Sequence, residues 1–269
     1  MYEGREVFSS TPLEYVVGEI KFPFAPQLGK DAAFEPLSAS LHPFFPLLDR
    51  EDRSQGVTIS PGGMKRIDAH VLWRFSNRKR TTSIAITPTS LAVETTHYKE
   101  YQQFRTSLSL GLQAVAALNA IMGIERVGLR YINELRIPRQ VHSPADWRGY
   151  VNKELLSCLS VLDGFAPISL ESAIRLTTGP QRELTMKYAS LTGSGVVGGG
   201  PLLRRSQPAE GPFFVLDIDS YWSGEGEEVP DFVAEQVLET FDTLHEPVGV
   251  LFLRLITEQF KTEVARRRE

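Results

Sequence analysis

Cysteine is all but missing from this chain. Cys158 stands alone in 269 residues, which excludes an internal disulfide. Its place in the apolar run Leu155-Leu156-Ser157-Cys158-Leu159 predicts a buried, inert thiol. Long apolar runs are missing too. No stretch reaches the length needed to cross a bilayer, and the opening Met-Tyr-Glu-Gly-Arg-Glu-Val lacks the basic-then-apolar plan of a signal peptide. The expectation is a cytoplasmic protein with no membrane partner. Nor is there an excess of positive charge: 29 Lys and Arg against 33 Asp and Glu leave a formal charge of −4, so no net field draws the chain to nucleic acid. Two local basic clusters read as solvated ends, Arg74 with Arg78-Lys79-Arg80 as a hairpin turn and Arg266-Arg267-Arg268 as a helix terminus.

Reaction machinery is equally sparse. The five histidines, His42, His70, His97, His142 and His245, show neither His-x-x-x-His nor His-Glu-x-x-His spacing, which argues against a zinc site. His245 reads as the cap of a helix C-terminus. There is no Gly-x-Ser-x-Gly elbow. The glycines of 193–201 lack a Gly-Lys-Ser/Thr ending, and a strand follows them where a phosphate site needs a helix N-terminus. They read as a mobile hairpin tip able to order over a ligand. No cofactor and no metal are expected.

What the chain has in quantity is alternation. In Arg126–Pro138, Val127, Leu129, Tyr131, Asn133, Leu135 and Ile137 share one side, while Gly128, Arg130, Ile132, Glu134 and Arg136 share the other. That is a half-buried antiparallel strand. Similar runs occupy 14–22, 70–76, 81–87, 90–98, 168–177, 183–191 and 213–222. In the last, Phe214, Leu216, Ile218 and Trp222 face one way and Phe213, Val215, Asp217, Asp219 and Tyr221 the other. Residues 24–64, rich in Pro and Gly, read as an irregular segment without a ladder.

Helical spacing appears at 101–122, with Gly123 as a C-terminal cap, and at 144–159, opened by Ser143 and Pro144. Two more helices are expected after Pro230, divided at Pro247. The run from Leu91 to Tyr98 and the run from Val215 to Tyr221, each leading toward a helix, echo one another. The expected fold is α+β, in two pseudo-repeated halves, 1–138 and 139–269, each an antiparallel sheet backed by helices, packed as one compact unit.

Asp217 and Asp219 are the best candidates for chemistry, two carboxylates on one strand face. They suit an enzyme reading, such as metal-assisted peptide cyclisation or hydrolysis, or ion pairing with Arg130 or another sheet arginine. No neighbouring motif completes a ligand set, so no residue is assigned as catalytic. The favoured reading is a binding module that takes an extended peptide at a sheet edge or in a groove between sheet and helices. Arg130, Glu134, Asp217 and Asp219 are its candidate charged contacts, and Tyr221 and Trp222 its apolar ones.

The string Arg126-Val127-Gly128-Leu129-Arg130-Tyr131-Ile132-Asn133, with Leu216-Asp217-Ile218-Asp219, Leu244-His245-Glu246 and the stretch Pro12–Phe22, resembles a sporadically distributed family of uncharacterised bacterial proteins along essentially the whole chain. The chain is also similar to the peptide-binding proteins of crocagin biosynthesis. That resemblance implies capture of a ribosomal precursor peptide and its presentation to modifying enzymes, and it supplies no motif-defined catalytic residues. A defence-associated interaction module is a further alternative. A homodimer fits each of these readings.

Overall fold

The computed structural model describes residues 11–53, 56–60, 63–67, 70–162, 164–198, 200–204, 208–224 and 228–265. The arginines at 266–268 lie outside them. In chain order the strands are β1 (Leu13–Lys21), β2 (Leu47–Arg53), β3 (Gly56–Ser60), β4 (Gly63–Ile67), β5 (His70–Ser76), β6 (Thr82–Thr87), β7 (Ser90–Thr95), β8 (Arg126–Leu135), β9 (Leu170–Gly179), β10 (Arg182–Gly193) and β11 (Gly211–Ser223). The main helices are α1 (Phe34–Leu41), α2 (Tyr101–Ala116) and α3 (Ala234–Leu255).

Nine of the strands form one antiparallel sheet in the order β2-β5-β6-β7-β1-β8-β11-β10-β9. The α+β class stands, but the expected pair of repeated halves does not. β1 pairs with β7 on one side and β8 on the other, and β8 pairs onward with β11, so the hydrogen-bonded ladder passes unbroken across the expected boundary at Pro138. One hydrophobic cluster likewise runs from Val16 to Ala265. The local echo of two strand-to-helix runs reflects a shared period, not a repeated unit.

The helices gather on one face. Gly18, mid-strand in β1, lies beneath them: a Cβ there would sit 2.7 Å from a Leu108 methyl of α2 and 3.1 Å from the Phe241 ring of α3. A side chain is excluded because two helices meet the sheet over this point. Around it Val16, Ile84, Val93, Leu129, Leu216 and Ile218 are buried. This is the inward set that the alternation of β8 and β11 indicated.

Several local expectations are corrected. Residues 24–64 are not an unladdered segment: they hold α1, β2, β3 and the start of β4, and β3 and β4 pair as a ribbon. The run Asp49-Arg50-Glu51-Asp52-Arg53 hides the alternation of β2 because both of its faces carry charge. α2 ends at Ala116, with Asn119 in the left-handed region at φ 47°. Gly123 is not its cap. It bridges Asp231, where a Cβ would approach the Pro230 carbonyl to 2.8 Å.

Ser143 and Pro144 do open a helical turn, with a reciprocal capping box to Asp146. The segment then breaks into two 3₁₀ stretches, Pro144–Trp147 and Lys153–Val161, because Gly149 turns the chain at φ 91° and Val151 bridges Ile256. The second stretch turns Leu155 and Leu156 inward and leaves Cys158 exposed, contrary to the expected burial. Pro247 does not divide two helices. α3 runs through it, with Phe241 and Leu244 before it and Val248 and Leu255 after it packed inward. Their burial offsets the roughly 3 kcal/mol that an interior proline costs. Arg74 is not in a solvated turn either. It is buried within β5 and pairs with Glu94 at 2.8 Å, while Arg78-Lys79-Arg80 does form the exposed β5–β6 turn.

Candidate functional site

The face opposite the helices is polar, and its centre is the β8–β11 pair. Register sets Arg130 against Asp219 and Ile132 against Asp217. The long arginine side chains then reach diagonally. Arg130 donates from Nε and Nη2 to the two Asp217 oxygens at 2.7 and 2.6 Å, a bidentate pair. Arg126 donates to Asp219 at 3.0 Å and lies 4.7 Å over the Tyr221 ring. It crosses Gly128 to do so: a Cβ on Gly128 would stand 2.4 Å from its guanidinium. On the helix side Tyr131 bonds His245 Nδ1 at 2.9 Å, and His245 stacks on Tyr101 at 3.9 Å. His245 therefore lies within α3 against the core and does not cap a helix end.

Three segments far apart in sequence are thus joined by direct contacts: Arg126–Asn133, Leu216–Asp219 and Leu244–Glu246. Asn133 adds a bond to the Leu216 carbonyl at 3.2 Å. The arrangement locks strand order and register. Burial pushes the Asp219 carboxyl above its ordinary value against the pull of Arg126 and Arg130. The bidentate bond to Asp217 holds the Arg130 guanidinium charged. Each carboxylate is committed to an arginine, and among the described residues no three His, Cys, Asp or Glu side chains converge as metal ligands would.

The six candidate contacts do not form one surface. Arg130, Asp217, Asp219 and Tyr221 share the polar face. Glu134 shares that face but is enclosed, its side chain only 1% exposed. It accepts from the Val196 and Val197 amides at 2.9 and 3.1 Å and from Arg204 at 2.9 Å. Gly195, at φ 133°, passes so close that a Cβ would lie 2.6 Å from the carboxylate. Beyond Arg204, Leu203 bonds Arg80 and Thr96. The described part of the connection between β10 and β11, 194–198 and 200–204, is therefore a strap fastened on Glu134, and not a free hairpin tip. Trp222 is on the helix side, donating to Gln181.

The sequence left open which edge of the sheet stands free. Among the described residues β9 has β10 as its sole strand neighbour, and its outer backbone groups make no main-chain hydrogen bond. Ile174 and Leu176 of this strand are exposed on the helix side. Beside them runs a groove of about 570 Å³ floored by Leu176, Leu184, Pro247, Val250 and Leu251 of β9, β10 and α3, with Arg182, Glu246 and Arg254 also lining it. The one signal for it in the sequence is that β9 carries only two charges, Glu171 and Arg175, against the charged run of the opposite edge, β2.

No family model matches the sequence, and no curated protein matches it. A search of solved structures aligns the chain with the solid-state NMR structure of the outer membrane protein AlkL in DMPC lipid bilayers, at 6% identity over 86% of this chain and 99% of that one, with a TM-score of 0.11. A score that low reflects no shared fold. Among the described residues no helix is long and apolar enough to cross a membrane.

Proposed function

We propose that the protein is a non-catalytic binder of extended peptide, taken up as an added strand along β9. The observation that carries this reading is the outer edge of β9, unpaired among the described residues, beside the apolar groove against α3. An added strand obtains its affinity from main-chain hydrogen bonds and its specificity from pockets for alternate side chains. Here one set of side chains turns toward Ile174, Leu176 and the groove, and the other toward Glu171 and Arg175. The opposite edge is less suited, since the charged run of β2 repels an incoming apolar strand. The polar face is the frame that holds the edge in place. The charges at its centre are already paired with one another, so Arg130, Asp217 and Asp219 serve as register locks in this reading.

The resemblance to the crocagin peptide-binding proteins points to a ribosomal precursor peptide as the ligand class, handed on to modifying enzymes. Calorimetric titration with a precursor peptide encoded beside the gene, and with a labelled extended peptide alternating leucine and serine, tests the reading. Binding with unaltered peptide mass, lost in Leu176→Glu and Leu251→Glu variants of unchanged circular dichroism, is the expected result. Binding indifferent to both substitutions removes β9 and its groove from the site.

A further inference from the structure

The same edge carries a pattern that peptide capture does not require. From Leu170 to Leu176, β9 reads Leu-Glu-Ser-Ala-Ile-Arg-Leu, with its two charges opposite in sign and equally spaced about Ala173. A two-fold axis perpendicular to the sheet keeps helix face on helix face, so it must pass through a residue and not between two. Of the positions it can take along β9, the one at Ala173 sets Glu171 of each copy against Arg175 of the other. On the helix face the same axis sets Leu170 against Leu176 and Ser172 against Ile174. An axis at Ser172 or Ile174 joins no opposite charges.

We propose that a second copy of this chain occupies the β9 edge of the peptide-free protein, pairing β9 antiparallel with β9 about Ala173 and extending one sheet through both copies. The inference rests on the reading of β9 as a strand-accepting edge and names its resting occupant. Three observations favour a copy of this chain over an unrelated partner. First, the edge is charge-complementary to itself. The Glu171 side chain makes no ion pair or hydrogen bond among the described residues, while Arg175, bonded to Glu183 at 2.6 Å, stays largely solvent-exposed.

Second, Ile168, 94% exposed, stands two residues before β9; the same register carried that far would set it opposite Thr178 of the other copy, beside the groove that Leu176 and Leu251 line. Third, Phe165, 78% exposed, stands in the segment that leads from the turn at Leu162–Phe165 into β9. Exposed apolar side chains thus stand immediately before the strand that a second copy would cover. Because peptide and second copy claim one edge, the dimer is the closed state and peptide capture requires its dissociation. Free monomer is the species that binds.

Sedimentation equilibrium of the full chain tests this. A dimer is expected. Glu171→Arg should weaken self-association about tenfold or more by setting like charges opposite at two symmetric positions. Adding Arg175→Glu to it should restore the dimer. Ala173→Cys in a Cys158→Ser background should cross-link through a disulfide on mild oxidation, since Ala173 faces its own copy, whereas Leu176→Cys should not. A monomeric wild type, or a dimer unaffected by the charge exchange and unlinked through position 173, overturns the inference.

The labelled leucine–serine peptide separates this result from the function. Peptide binding by a protein with no β9 dimer leaves peptide capture standing and removes the dimer. A dimer that obeys the charge exchange, with no peptide bound even by wild-type protein diluted to its monomer, does the reverse.

Discussion

Arg130 holds Asp217 through two parallel hydrogen bonds, although register places each of them opposite a different residue on the neighbouring strand. The diagonal reach joins β8 to β11 by side chains as well as by the ladder. Asp217 is buried while Arg130 is nearly half exposed, so loss of the arginine strands a carboxylate. Arg130→Ala is expected to destabilise the fold by about 2 kcal/mol, less than a fully buried pair because solvent screens the guanidinium. In a double-mutant cycle with Asp217→Ala by urea denaturation, the paired variant should lose less than the sum of the single variants. Simple additivity would show that the pair does not couple.

The strap gives a local test. Glu134→Ala removes the acceptor of the Val196 and Val197 amides and one partner of Arg204, leaving Arg204 with Glu14 at 3.1 Å. Hydrogen exchange at Val196 and Val197 should accelerate well before that of β8 or β11. Equal protection in the variant would show that the strap is held elsewhere.

Gly18 tests the seating of the helices. Gly18→Ala drives a methyl group toward Leu108 and Phe241, an overpacking expected to cost about 2 kcal/mol. Adding Leu108→Ala should relieve part of that cost, and thermal unfolding of the two variants reports it.

Alkaline pH should weaken the fold. Burial, reinforced by Glu94 and Asp242, pushes the Tyr15 and Tyr101 phenols far above their ordinary value of 10.0, and burial does the same for Tyr131. The folded chain therefore keeps protons that the unfolded chain loses above about pH 10, so stability falls as pH rises through that value. Tyrosinate absorbance from these three should appear together with loss of secondary structure. Their ionisation in a still-folded chain would contradict the burial that raises them.

Much of the sheet was legible because a period of two marks a strand wherever one face is buried and the other is wet. The opposed sets of β8 and β11, and the pairing of Asp217 with Arg130, follow from that pattern together with charge. The helix breaks were less legible. Pro247 is overridden by the apolar stripe on both sides of it, and Gly149 breaks a run that capping at Ser143 had begun well. The edge and its groove were not legible, since an edge is defined by what fails to lie beside it. The groove joins Leu176 to Leu251, which only the finished topology brings near.

The place of β1 in the ladder bears on how this protein is made. Its two neighbours are β7 and β8, and β8 ends at Leu135, so the first strand leaves the ribosome long before the second of its partners exists. Pairings so distant in sequence form slowly and leave apolar strand edges exposed in the interval. A polypeptide released before β8 is complete would present the bare flank of β1 at what becomes the middle of the sheet. Such a product is a seed for aggregation and not a smaller folded unit.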